Sequence, residues 1–323
     1  MIAHMETRTL GKSDLKVTVV GLGCNNFGQR IDDDASRKVI HKALDLGVTL
    51  FDTADIYGNY GGSETCLGKF LGARRKDIVL ATKFGMPMDK EDKLKGASRA
   101  YIMSAVEASL KRLKTDWIDL YQLHRPDPKT PIEETLRALD DLVRQGKVRY
   151  IGCSNMSAAQ VREAADASHR HGLAAFASCQ NEYSLLVRDV ETDLVPVMRA
   201  NGMGFLPYFP LASGLLTGKY KRDQATPEGA RLTYMKNHAD RYLTDANWAR
   251  IEALQTLAAA KGRSLIELAF GWLLAKPTLA SVIAGATKPE QVEQNVRAAA
   301  WTLTADEVKE VDQIAGGMSS RGA

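Results

Sequence analysis

The stretch Val48-Thr49-Leu50-Phe51-Asp52-Thr53-Ala54-Asp55-Ile56-Tyr57-Gly58 is a short apolar run that breaks at a carboxylate and continues into a polar loop. Residues 48–51 read as a strand, with Asp52 at its carboxyl end. The device recurs on both sides. Ile78 to Ala81 leads to Lys83, Trp117 to Gln122 leads to His124, and Val148 to Ile151 leads to Ser154 and Asn155. Ala174 to Ser178 leads in turn to Gln180 and Asn181. With Val17 to Leu22, Phe205 to Tyr208 and Ser281 to Ala284, the runs total the eight that close a (β/α)8 barrel. They are mostly apolar throughout, as parallel strands buried on both faces must be.

Amphipathic stretches separate these runs. Asp33 to Leu46 follows acidic caps and stops at Gly47, and Ser98 to Leu113 carries Ile102, Val106, Leu110 and Leu113 at helical spacing. A helix from Pro131 to Gln145 is expected behind a Thr130 cap, another covers Ser157 to Ala167, and Leu265 to Leu274 ends before Pro277. Thr304-Ala305-Asp306-Glu307 opens the last helix as a capping box. Thr7 to Val20 reads as a hairpin turning at Gly11-Lys12-Ser13-Asp14 and plugging one barrel end. Gly214 to Asn247, long and polar, is expected to fold over the top face. An open doubly wound sheet is the competing architecture. Gly21-Leu22-Gly23-Cys24-Asn25-Asn26-Phe27-Gly28 argues against it, since the third glycine falls one position too late for GxGxxG. With no repeat or linker, residues 1–323 form one domain.

Composition narrows the function. Of 323 residues, 45% are hydrophobic and 25% charged, which is ordinary globular usage. The 43 Lys and Arg against 39 Asp and Glu leave +4, too dilute for a nucleic-acid or membrane partner. The four cysteines (Cys24, Cys66, Cys153 and Cys179) form no CxxC pair, so free buried thiols are expected rather than disulfides or zinc. No run approaches the roughly eighteen apolar residues of a membrane span. The opening Met1 to Thr7 lacks the basic and apolar regions of a secretory signal, so a cytoplasmic setting is expected. The tail from Gly316 is expected to fray.

The strand-end residues suit one chemistry. A tyrosine hydroxyl, with a pKa near 10, is too weak an acid to work easily at neutral pH. A neighbouring ammonium favours the phenolate, and a carboxylate holds that ammonium charged and in place. A histidine beside the hydroxyl can polarise an incoming carbonyl. Tyr57, Lys83, Asp52 and His124 supply these parts, and they make a poor metal shell. Proton delivery to a carbonyl oxygen fits best.

At this point the sequence resembles the aldo-keto reductases, in particular their bacterial and potassium-channel β-subunit-like branch. The motifs are Phe51-Asp52-Thr53-Ala54-Asp55-Ile56-Tyr57-Gly58 with Gly61-Gly62-Ser63-Glu64, Leu80-Ala81-Thr82-Lys83, and Leu120-Tyr121-Gln122-Leu123-His124-Arg125-Pro126-Asp127. Gly146 to Asn155, Gln180-Asn181-Glu182-Tyr183, Tyr208-Phe209-Pro210-Leu211, Gly214 to Tyr220 and Ile283 to Lys288 continue the likeness, which spans about residues 7–315. It implies a (β/α)8 barrel with an N-terminal hairpin and accessory helices. It also implies a catalytic set of Asp52, Tyr57, Lys83 and His124, with Tyr57 as general acid in reduction. Ser154, Asn155 and Gln180 match residues that hold the nicotinamide carboxamide, and Tyr208 matches the ring stacked on the nicotinamide. Leu211, Gly214, Leu215 and Lys219 match the pyrophosphate loop, and Gly285, Thr287, Lys288, Gln291 and Asn295 match the adenosine end. Gly23, at the first strand end, joins the cofactor contacts.

Two positions depart from the family pattern. Phe209 stands where serine is common, and Gln291 where many relatives use an arginine for the 2′-phosphate. The resemblance implies hydride transfer between NADPH and a small aldehyde or ketone, with NADH the alternative cofactor. A cofactor-binding accessory protein with incidental turnover is the second reading. A sugar-phosphate isomerase on the same fold is a third, and it would act without added nicotinamide. Phe27 and Phe84 are expected to make the substrate pocket partly apolar. The sequence does not give the oligomeric state.

Overall fold

The computed structural model describes residues 5–316; residues 1–4 and 317–323, on which parts of the leader and tail expectations rest, lie outside them. Two short antiparallel strands, β1 (Thr7–Thr9) and β2 (Lys16–Thr18), form the hairpin, closed by Leu10 N–H donating to the Leu15 carbonyl at 2.8 Å. The barrel strands follow: β3 (Val20–Gly23), β4 (Leu50–Asp52), β5 (Val79–Phe84) and β6 (Ile118–Leu123). β7 (Val148–Ser154), β8 (Ser178–Gln180), β9 (Gly204–Phe205) and β10 (Val282–Gly285) complete them. All neighbours are parallel, in the order β10-β3-β4-β5-β6-β7-β8-β9. Closure comes just before β10. Phe205 N–H donates to the Thr278 carbonyl at 2.8 Å, and Ala280 N–H to the Phe205 carbonyl at 3.0 Å. The sheet is a closed barrel, and the open alternative falls.

Side-chain parity sorts the strands into two cores. Leu50, Ala81, Leu120, Leu206 and Ile283 meet inside the barrel, where Leu10, Leu15 and Val17 of the hairpin seal the lower end. Phe51, Leu80, Tyr121, Ile151 and Cys153 belong to the larger core shared with the helices. Residues two steps beyond the inner apolar layer, among them Asp52, Lys83 and Gln122, then form the layer above it. Gly152 gives that layer room, because a Cβ there would lie 2.6 Å from Ser178 Oγ and 3.1 Å from Gln122 Cγ.

Several sequence expectations shift. The run from Val17 is divided, its start pairing in the hairpin and Val20–Gly23 entering the barrel. The expected sixth strand begins only at Ser178, and the seventh ends at Phe205, with Tyr208 reaching Glu182 by a single bridge. Pro131, not Thr130, precedes the helix Ile132–Arg144; the Thr130 hydroxyl donates instead to Asp127 at 2.7 Å. The boxes at Ser157/Gln160, Ser264/Glu267 and Thr304/Glu307 do cap their helices. All four cysteines are free and buried. Among the described residues, no helix is long and apolar enough to cross a membrane.

Candidate active site

A cleft of about 670 Å³ opens at the carboxyl ends of the strands. At its floor Lys83 is fully buried, its ammonium 2.6 Å from Asp52 Oδ2 and 2.9 Å from the Thr53 carbonyl. Asp52 Oδ1 accepts from Gln122 Nε2 at 3.1 Å and from Gln180 Nε2 at 3.0 Å. Three strands thus hold one carboxylate. Burial works against the Lys83 charge, but Asp52 and Tyr57 outweigh it and raise its pKa above the usual lysine value. The ammonium lies 5.0 Å from the centre of the Tyr57 ring.

Tyr57 enters the cleft from an unusual turn. Gly58, Asn59, Tyr60 and Gly61 all have positive φ (72°, 59°, 66° and 106°), so the chain coils left-handed before the helix proper. Gly58 is compulsory there, since a Cβ would lie 2.4 Å from Ser63 N and 2.5 Å from the Phe27 carbonyl oxygen. Ser63 anchors the turn by donating to the Cys24 carbonyl at 2.7 Å and sharing a hydrogen bond with Thr53. Burial pushes the Tyr57 pKa above its ordinary value; the Lys83 charge lowers it by less. That corrects the expected net shift. The hydroxyl therefore stays protonated at neutral pH.

His124 meets the Tyr57 ring edge-on, with centroids 5.7 Å apart. Burial, then the charges of Lys83 and Arg125, depress its pKa well below the usual histidine value. Its imidazole is therefore neutral. Beside it, Asn155 (φ 58°) donates to the His124 carbonyl at 2.9 Å and to Ser154 Oγ at 3.0 Å, while the Tyr208 hydroxyl donates to Asn155 Oδ1 at 2.8 Å. Ser154 Oγ donates to the Gln180 carbonyl at 2.7 Å.

Of the sequence-assigned cofactor residues, Gly23, Ser154, Asn155, Gln180, Tyr208, Leu211, Gly214, Lys219, Gly285, Thr287, Gln291 and Asn295 line the cleft. Leu215 does not; it is buried in the core behind the loop. Lys288 stands exposed outside the lining, just before the helix Pro289–Ala298. Phe27 and Phe84 are wholly buried, and Phe84 stacks on Tyr121 at 4.7 Å. Strand parity explains Phe84: with Lys83 facing inward, its neighbour faces the helices. The expected aromatic pocket wall is Tyr208 and Phe209 instead.

The polar stretch after β9 does cover the top face. It contains two short helices, Arg231–Tyr234 and Lys236–Tyr242. Phe209 packs edge-on against His238 at 5.1 Å and lies 5.3 Å from the Arg231 guanidinium. In place of the hydroxyl that serine would supply, it fastens this segment. Ser213 shares a 2.9 Å hydrogen bond with His238 Nδ1, and Glu182 accepts from Arg241 at 2.7 Å and from the Tyr242 hydroxyl. Sequence reading missed Arg30, Arg231 and Arg241 as cleft residues, because they are ordinary surface types, one in a turn and two in helices too short to show a periodicity.

Arg30, Lys219 and Arg231 share one end of the cleft, where burial and the two guanidinium charges lower the Lys219 pKa. Among the described residues none of these three cations is ion-paired to a carboxylate, which suits them to phosphates, so the donor set fits a dinucleotide. A model of the "Aldo/keto reductase family" matches residues 19–315. The chain belongs to that family. It is 39% identical over 303 residues to a probable voltage-gated potassium channel subunit beta of Arabidopsis thaliana, covering 91% of each chain. It is 35% identical over 322 residues to an L-glyceraldehyde 3-phosphate reductase of Escherichia coli O157:H7, covering 96% of this chain and 92% of that one. Aldo-keto reductase YhdN of Bacillus subtilis is also 35% identical, over 96% of this chain and 93% of its own. Its relatives thus carry both reductase and channel-subunit names.

Proposed function

We propose that this member of the family reduces aldehydes or ketones with NADPH and uses Tyr57 as the proton donor. The supporting observation is the buried Lys83–Asp52 pair at 2.6 Å beneath Tyr57, with His124 packed edge-on against the Tyr57 ring. Ser154, Asn155 and Tyr208 would hold the nicotinamide end, Arg30, Lys219 and Arg231 the phosphates, and Thr287, Gln291 and Asn295 the adenosine end. When bound, the dinucleotide supplies the hydride.

The rest is done by the chain. Tyr57 hydrogen-bonds the carbonyl oxygen and gives up its proton as negative charge develops there. Lys83 stabilises the phenolate left behind, and Asp52 keeps Lys83 charged and in place. Neutral His124 contributes a dipole without the desolvation cost of a second cation. The four buried free thiols support a reducing, cytoplasmic setting.

A second reading, a cofactor-binding accessory subunit, is favoured by the likeness to the plant channel subunit. A panel of carbonyl compounds assayed with NADPH and NADH separates the two. Turnover of any compound at ordinary enzymatic rates supports the reductase. Tight NADPH binding with negligible reduction of the whole panel supports the accessory protein.

A further inference from the structure

The charges in the cleft do not balance. Among the described residues, Arg30, Arg125, Lys219, Arg231 and Arg241 line it against two carboxylates, Asp52 and Glu182. Asp52 is taken by Lys83 and Glu182 by Arg241 and Tyr242. The cations at the far end are matched by the phosphates of the proposed cofactor. Arg125 is left over.

Its position is informative. Arg125 directly follows His124, is exposed, and has no hydrogen-bond or ion-pair partner among the described residues. The carboxylate nearest in sequence is already engaged: Asp127 accepts from Ala97 N at 2.9 Å, Lys129 N at 3.0 Å and the Thr130 hydroxyl at 2.7 Å. Arg125 lines the cleft as the next residue after His124, whose ring packs against Tyr57 at 5.7 Å, which places it at the Tyr57 end of the cleft and not with the phosphate cations. An unpaired guanidinium beside the reacting groups offers a planar fork of donors to an oxyanion.

We propose that Arg125 binds an anionic group, carboxylate or phosphate, carried by the substrate, so that the preferred substrates are anionic aldehydes or ketones. This rests on the carbonyl-reductase reading above. The contact exists before and during proton transfer alike, so it lowers KM and leaves kcat largely alone. In an open cleft it is also weakened by salt.

The test uses two matched pairs, 4-carboxybenzaldehyde against methyl 4-formylbenzoate, and glyceraldehyde 3-phosphate against glyceraldehyde, each with NADPH. The wild type is expected to favour the anionic member of at least one pair by about tenfold or more in kcat/KM. Which pair does so tells carboxylate from phosphate. In Arg125→Gln the anionic-to-neutral ratio is expected to collapse through KM, and Arg125→Lys should restore part of it. Calorimetric titration of terephthalate into the NADP⁺ complex gives a readout independent of turnover, with at least about fivefold weaker binding expected in Arg125→Gln. An absent preference, or one that survives in Arg125→Gln, overturns the proposal. If neither member of either pair is reduced, calorimetry alone decides Arg125, and unchanged terephthalate affinity in Arg125→Gln removes it as an anion site; the reductase reading is decided separately by the wider carbonyl panel.

Discussion

Gln180 donates its side-chain amide to Asp52 Oδ1 at 3.0 Å, joining β8 to β4 across 128 residues of chain. Gln122 makes the parallel contact from β6 and Lys83 from β5. The Asp52 carboxylate is therefore the hub of the barrel's upper layer, and Lys83 is held by a group that the barrel itself holds. The same bond engages the amide nitrogen of Gln180, which the family likeness assigns to the nicotinamide carboxamide. The amide's oxygen is the part left for that task.

Lys83 and Asp52 should accordingly act as one unit. Lys83→Met and Asp52→Asn are each expected to lower kcat/KM by at least about 100-fold. The double variant should be far less impaired than the product of the two. A kinetic double-mutant cycle measures this, and fully multiplicative losses would mean that the two residues work separately.

Tyr57→Phe removes one oxygen and keeps the ring against His124 and Lys83. With no other donor assigned to the carbonyl oxygen, kcat/KM should fall by at least about 100-fold. NADPH affinity, followed by fluorescence titration, should stay within about twofold. A variant retaining more than a third of wild-type turnover would reassign the proton to another group.

The parts of this protein legible in sequence are those set by strand parity and strand ends. An apolar run must stop where a side chain turns into a polar cavity, so Asp52, Lys83 and His124 announce themselves. The clasp around Glu182 does not, because Arg241 and Tyr242 meet it across about sixty residues, and no periodicity encodes a loop's return. Phe84 misleads for the opposite reason. Its neighbour Lys83 suggests a pocket, and the one-residue step that turns it away is visible only once the register is known. The left-handed turn after Tyr57 is likewise hidden at Asn59 and Tyr60, since nothing in those residue types demands a positive φ.

Asp55 offers a test on stability. Its carboxyl is buried, and among the described residues no side chain hydrogen-bonds either oxygen. Burial, reinforced by the nearby Glu64 charge, raises its pKa well above the usual 3.8. Between the unfolded and the raised folded value the native state binds the extra proton, so stability falls as pH rises through that window. Asp55→Asn keeps the shape without that proton linkage. The variant should gain Tm relative to wild type, and the gap should widen from pH 5 to pH 8 in thermal melts. A gap that is constant or narrows would show that Asp55 is ionised in the folded protein.

Cofactor choice rests on a smaller structural difference. NADPH carries a 2′-phosphate that NADH lacks, and the groups proposed to read it lie around the start of the helix Pro289–Ala298. Gln291 Oε1 folds back to accept from Thr287 N at 2.7 Å and from its hydroxyl at 3.2 Å, which leaves the Gln291 amide nitrogen to donate. Lys288 is exposed and makes no side-chain cap; Glu290, in the first turn, opposes its charge. No bidentate arginine stands at position 291 to fix the phosphate. A preference of about tenfold to a hundredfold for NADPH is expected, or about 1.4 to 3 kcal/mol. Lys288→Met should raise Kd for NADPH several-fold, leave Kd for NADH within about twofold, and show a smaller difference at high salt. Arg231→Met should weaken both cofactors alike, because the pyrophosphate is common to them. If Lys288→Met also weakens both equally, or the wild type binds both with one affinity, the 2′-phosphate is not read at this helix start.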